Sequence, residues 1–232
     1  MNTRRPRYLR HRFPPEIISH AVWLYHRYCL SFRDVEDLLA ERGIIASYET
    51  IRQWCRKFGP DYARQLKRRQ GRLGDTWFLD EVFVTINGQR QYLWRAVDQD
   101  GDLIDILVQP SRDGRAARIF FRRLLKSQRQ EPVQLVTDRL GSYRVAHRDV
   151  MPLVTHDTTR YANNRAEVLH QPTRQRERQM RSFTSSAHAQ RFLRVHGIIQ
   201  NMFRVGRHRL RSVHHRMLRA RSFKVWAAVT VA

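Results

Sequence analysis

The stretch that most constrains the fold is TWFLDEVFVTINGQRQYLWRAVDQDGDLIDILV, residues 76–108. Three runs rich in β-branched and aromatic residues are separated by Asn87-Gly88 and Asp100-Gly101. Both dipeptides accept the backbone of tight hairpin turns, so three antiparallel strands are predicted near 77–85, 91–98 and 103–109. The following segments supply material to cover such a sheet. GRAARIFFRRLLKSQ carries Ala116, Ile119, Phe120 and Leu124 at helical spacing with a basic opposite face. PVQLVTD reads as a short strand ending in an acid, RLGSYRVAHRDV as a helix, and MPLVTH as another brief strand. Arginine-rich helical sequence then continues to about residue 222. The order β-β-β-α-β-α-β-α predicts an α/β domain with a mixed sheet and helices on both faces. DQDGDLID has acids at alternate positions but not the glycine and closing glutamate of a calcium loop, and it reads as a hairpin turn.

The first seventy residues have a different period. PPEIISHAVWLYHRYC places Ile17, Ile18, Ala21, Val22, Leu24 and Tyr25 at helix spacing behind Pro14 and Pro15. Ser31 with Asp34 makes a capping-box-like start for a second helix bearing Val35, Leu38 and Leu39, ending at Gly43. Ser47 can cap a third, with Tyr48, Ile51, Trp54 and Cys55, which is expected to close at Gly59-Pro60. This spacing fits a helix-turn-helix and equally a plain three-helix bundle. Arg52, Gln53, Arg56 and Lys57 lie on the polar side of the last helix and favour the former, since these residue types reach phosphates and base edges. Residues 61–75 read as a linker or helix extension. The expected division is 1–70 for DNA binding, 71–205 for the α/β domain, and 206–232 for a basic helical tail.

A formal charge of +23 makes a polyanion the expected partner, with nucleic acid first. No apolar run approaches the length of a membrane span, and the basic N-terminus is followed by no apolar signal segment. Cys29 and Cys55 fit a reducing cytosol and are too few for a zinc site. His214 and His215 alternate with arginines and read as part of a solvated basic face.

Three acids occupy unusual places. Asp80 interrupts the strand WFLDEVFV, where an unpaired buried charge is costly; an edge-strand charge is the structural alternative. Glu81 is its neighbour, and strand alternation predicts that the two face opposite sides. Asp138 ends an apolar strand, where open α/β sheets place ligands, or else it caps the next helix. Glu167 has the offset from Asn164 of a capping box, ahead of Pro172, within a segment dominated by arginine. Between Arg160 and Lys224 there are sixteen Arg and Lys against two acids. Convergent carboxylates suit a hard divalent ion such as Mg²⁺, and such ions promote phosphodiester chemistry. Arginines for DNA and carboxylates for metal then form one coherent scheme.

The chain resembles the DDE transposases of the IS6-like insertion-sequence group almost end to end. SFRDVEDLLAERGIIASYETIRQWCRKFGP resembles the group's DNA-binding segment. DTWFLDEVFVTINGQRQYLWRAVDQDGDLIDILV, LVTDRLGSY and NNRAEVLHQPTRQRERQMRSF resemble its three acidic motifs, matched by Asp80, Asp138 and Glu167. Phe78 stands where a histidine is common in the group, and Val168-Leu169 replaces a polar pair. The resemblance implies an RNase H-like catalytic domain behind a helix-turn-helix, with these three acids as catalytic residues and metal ligands. It implies Mg²⁺ (or Mn²⁺) dependent cleavage at terminal inverted repeats and transfer of the 3′-OH to target DNA. A homodimer or larger homo-oligomer acting on the bacterial nucleoid is expected, with Arg165, His170, Arg174 and Arg178 gripping phosphate. The competing expectations are a degenerate copy that binds ends without chemistry, and a general nuclease of the same fold.

Overall fold

The computed structural model describes residues 7–71, 73–160, 162–163, 183–204 and 210–231. It divides into two units, Met1–Arg69 with Ile198–Ala232, and Gln70–Gly197.

In the first unit, α1 (Pro15–Arg27) begins with a proline where no intrahelical donor is needed. The predicted capping box opens α2 (Phe32–Ala40): Asp34 N–H donates to Ser31 Oγ at 3.1 Å, and Ser31 N–H donates to Asp34 Oδ2 at 2.7 Å. Gly43 takes a φ of 74° just beyond the helix. Thr50 N–H donates to Ser47 Oγ at 3.3 Å at the start of α3 (Tyr48–Arg69).

Contrary to the expected stop at Gly59-Pro60, α3 runs through Pro60 to Arg69. An interior proline costs about 3 kcal/mol. The stripe Ile51, Trp54, Cys55, Phe58, Tyr62, Ala63 and Leu66 is buried on both sides of it, and a few such side chains outweigh that cost. In the segment expected as a tail, α7 (Ser212–Thr230) buries Trp226 and Val229, with Trp226 edge-on to Tyr62 at 5.4 Å.

In the second unit, β1 (Thr76–Ile86), β2 (Gln89–Asp98) and β3 (Leu103–Gln109) form the predicted antiparallel meander. Asn87 and Gly88 have φ of 52° and 74°, the left-handed pair that a two-residue hairpin with matching twist requires. β4 (Gln134–Val136) and β5 (Thr155–Asp157) add in parallel, giving the order β3-β2-β1-β4-β5. Antiparallel β1–β3 followed by parallel β4 and β5, with β1 central, is the RNase H-like arrangement expected above.

α4 (Gly114–Gln128) and α5 (Gly141–Val150) cover one face, packing Phe120, Phe121 and Tyr143 against Trp77, Leu79 and Trp94 of the sheet. The alternate strand positions Val82, Val84, Leu93, Val97, Leu103 and Ile106 are buried on the other face. There α6 (Ser186–Phe203) brings Gly197 against Leu103. Gln190 of α6 accepts from Val108 N–H at 2.9 Å and donates to Ile106 C=O at 3.1 Å, pairing backbone that edge strand β3 would otherwise leave open.

Candidate active site

Burial along β1 changes face midway. Trp77 and Leu79 are buried on one side, then Val82, Val84 and Ile86 on the other, with Phe83 and Thr85 exposed. Asp80 and Glu81 sit at the change. Asp80 is on the central strand, so the edge-strand reading of its charge is wrong.

Parallel pairing of β1 with β4 runs Thr76↔Gln134, Trp77↔Leu135, Phe78↔Val136 and then stops. Two residues further along this register, Asp138 comes beside Asp80. Among the described residues, Asp80, Glu81 and Asp138 each offer a carboxylate oxygen, all within 4.8 Å of one another. Asp80 and Glu81 leave the strand on opposite faces, as expected, yet this does not keep their carboxylates out of one shared site. Alternation still sets the face from which each side chain leaves the strand, as the buried Val82, Val84 and Ile86 and the exposed Phe83 and Thr85 show. Beyond Val136 no β4 ladder walls off one face from the other, so carboxylates from both reach the same point.

Each acid is held differently. Asp138 Oδ1 accepts from Leu140 N–H at 2.9 Å, a local turn, while Leu140 is the N-cap of α5 and gives it no side-chain cap bond. The helix-cap reading of Asp138 is thus replaced by a turn that uses only one of its oxygens. Its carboxyl is raised from the ordinary value by lost hydration first and by Asp80, against the Leu140 N–H and Arg112. Glu81 has a side chain only 5% exposed; its Oε2 accepts from the Tyr143 hydroxyl at 2.7 Å, and Arg112 Nη1 lies 3.9 Å from its Oε1. Burial pushes the Glu81 carboxyl up to about 7, with Asp138 and Asp80 adding to the rise and Tyr143 and Arg112 opposing it. Tyr143, wholly buried, is raised well above the usual phenol range by the same burial and by Glu81.

Two further contacts brace the strand ends. Asn163 Nδ2 donates to Leu79 C=O at 2.8 Å, taking over where the β1–β4 ladder has ended. Thr137 Oγ1 donates to Asp138 C=O at 2.8 Å and lies 2.8 Å from His156 Nε2. His156 is depressed to about 4 by burial first, then by His147 and Arg144. It is therefore neutral near pH 7, and its Nε2–H tautomer donates to Thr137.

Glu167, Arg165, His170, Arg174 and Arg178 lie outside the described residues. On α3, Arg52, Gln53, Arg56 and Lys57 share the exposed side opposite the buried stripe. Arg52 makes two 2.8 Å bonds to Glu49, and Gln53 adds one at 3.3 Å. Lys57 Nζ is 2.8 Å from His11 Nε2. Sequence reasoning assigns no role to Tyr143, Arg112 or Asn163 and does not place Glu81 in the site. Only Glu81, beside Asp80, carried a local signal.

The DDE_Tnp_IS240 family, described as a DDE domain, matches residues 74–206. A Staphylococcus aureus protein named transposase for insertion sequence-like element IS431mec is 31% identical over 185 residues, covering 77% of this chain and 82% of its own. The S. aureus transposase for insertion sequence element IS257 in transposon Tn4003 matches to the same extent. Among solved structures, an HTLV-2 integrase catalytic core domain aligns with a TM-score of 0.41 at 10% identity, over 59% of this chain and 90% of that one.

Proposed function

The chain belongs to the DDE transposases of the IS6-like group, and on that premise we propose that it cuts DNA at the terminal inverted repeats of its element and joins the freed 3′-OH to target DNA, using a divalent metal. The observation that carries this reading is the convergence of Asp80, from the central strand, with Asp138, from the end of the adjacent parallel strand, around carboxylate oxygens within 4.8 Å. Asp80 and Asp138 are the proposed ligands and catalytic residues, with Glu167 as the third. An all-carboxylate set is hard and suits Mg²⁺ or Mn²⁺. When bound, such an ion supplies charge neutralisation at the scissile phosphate and favours the deprotonated attacking oxygen.

The protein's own groups do the positioning. The Leu140 N–H fixes one oxygen of Asp138, leaving the other for the site. Asn163 holds the backbone of β1 immediately before Asp80. The exposed face of Arg52, Gln53, Arg56 and Lys57 in the helix-turn-helix suits recognition of the terminal repeats; Arg165, His170, Arg174 and Arg178 are assigned to phosphate contacts near the cut. No helix among the described residues is long and apolar enough to cross a membrane. A homo-oligomer working on DNA in the bacterial cytoplasm, at the nucleoid, completes the proposal.

Strand transfer on oligonucleotides bearing the cognate ends tests it. Asp80→Asn, Asp138→Asn and Glu167→Gln should each lower joining by about a hundredfold or more, with end binding retained. Wild-type joining by all three variants would refute the assignment. Tight, salt-sensitive binding with no joining by the wild type would instead identify a degenerate copy, and cutting of unrelated DNA without joining would identify a nuclease.

A further inference from the structure

On the face of the sheet that carries Glu81, the next outward residue of β1 is Phe83, two positions and about 7 Å further along. Phe83 is 63% exposed, although the central strand of a sheet is where large aromatic side chains are normally covered. Its partner across the β1–β2 ladder is Tyr92, half-buried, and the next pair on this face is Thr85↔Arg90. The Arg90 guanidinium lies 4.8 Å from the centre of the Phe83 ring. The Arg112 guanidinium lies 5.9 Å from the centre of the Tyr92 ring, and its Nη1 is 3.9 Å from the Glu81 carboxylate. The result is an exposed Phe83 ring beside a half-buried Tyr92 ring, each attended by an arginine and continuous with the acid cluster.

We propose that Phe83, Tyr92, Arg90 and Arg112 form a stacking platform for unpaired DNA nucleotides next to the cut, a role that rests on the acid cluster being the site of cleavage. A strand whose phosphate lies at the carboxylates passes its neighbouring nucleotides over these rings. Bases stack on the aromatic faces while Arg90 and Arg112 meet the backbone phosphates, the combination by which proteins hold single strands. An apolar protein partner fits less well, because covering the rings would strip water from the Arg90 guanidinium without neutralising it. Duplex DNA also fits less well. Its base faces are occupied by their neighbours, so only a frayed or extruded base can offer a free face to Phe83.

The test uses the full chain in EDTA, so that cleavage plays no part, with two oligonucleotide probes. One carries 2-aminopurine in an unpaired overhang at a transposon end; the other is the same sequence as a blunt duplex with the label inside. Phe83→Ala should weaken binding of the overhang roughly five- to a hundredfold and abolish the stacking-induced change in 2-aminopurine emission. Blunt-duplex affinity should stay within about twofold, and Phe83→Trp should restore overhang binding. Equal loss on both probes, or unaltered overhang binding and emission in Phe83→Ala, would overturn the platform. Asp80→Asn should leave overhang binding in EDTA intact. Failure of the catalytic reading, seen as unimpaired joining by Asp80→Asn, is thereby distinguished from failure of the platform.

Discussion

Replacing Glu81 by Gln should stabilise the metal-free protein, and should do so more at pH 8 than at pH 5. Glu81 is nearly enclosed between Tyr143 and the other two acids, and its carboxyl is raised from the ordinary 4.5 to about 7. A folded state that raises an acid's pKa binds its proton more tightly than the unfolded chain does. That contribution is present in full below pH 4.5 and is lost as the pH rises through about 7. The interval corresponds to roughly 3 kcal/mol by pH 8, most of it lost between pH 5 and pH 8. Glutamine keeps the shape and an oxygen for the Tyr143 hydroxyl, and it removes the charge. Urea unfolding in EDTA at constant ionic strength, at pH 5 and pH 8, measures the difference. The depressed His156 shapes stability in the opposite sense below pH 6.5, but it is present in both proteins and cancels in the comparison. The variant should gain about 2–3 kcal/mol over the wild type on going from pH 5 to pH 8. An equal gap at both pH values, or a wild type that gains on the variant, would refute the account of Glu81. Added Mn²⁺ should narrow the gap at pH 8, because an ion bound only by the folded protein stabilises it in proportion to occupancy, and the wild type offers one more carboxylate.

Asn163→Ala should cost about 1–2 kcal/mol in the same urea assay, since it leaves the Leu79 carbonyl unpaired where the β1–β4 ladder stops. Asp105, 4% exposed on β3, accepts from Arg123 at 2.9 and 3.3 Å. Asp105→Ala should cost about 3 kcal/mol, and a double-mutant cycle with Arg123→Ala should show a coupling of at least about 0.5 kcal/mol. Arg56→Ala, on the exposed side of α3, should weaken binding to DNA of every sequence if it contacts phosphate. The slope of log affinity against log salt should then become shallower by about 0.9.

Legibility from sequence followed the range of the interactions. The hairpin at Asn87-Gly88, the capping box at Ser31 and the helix over Gly114–Gln128 are set within a few residues, and each was readable from the residues themselves. The passage of α3 through Pro60 was not. Its compensation comes from burial of Tyr62, Ala63 and Leu66, which propensity does not register. Asp80 and Asp138 were both identified as candidates, while strand alternation, which holds, did not place Glu81 in their site. The placement of Glu167 falls outside the described residues.

By itself the sequence determined the strand and helix order, the basic character that calls for a polyanion, and the identity of the acids that do not suit their local positions. Each of these follows from backbone preference, hydrophobic period or net charge, properties carried by the residues wherever they lie. Tertiary structure alone decided that β4 pairs with β1 and stops at Val136. That ending brings acids 58 positions apart in sequence, Asp80 and Asp138, to one point and lets Glu81 reach it from the opposite face. It also left Phe83 uncovered beside them. Where a ladder ends depends on the packing of whole elements, a sum over distant contacts that no local stretch of the chain contains.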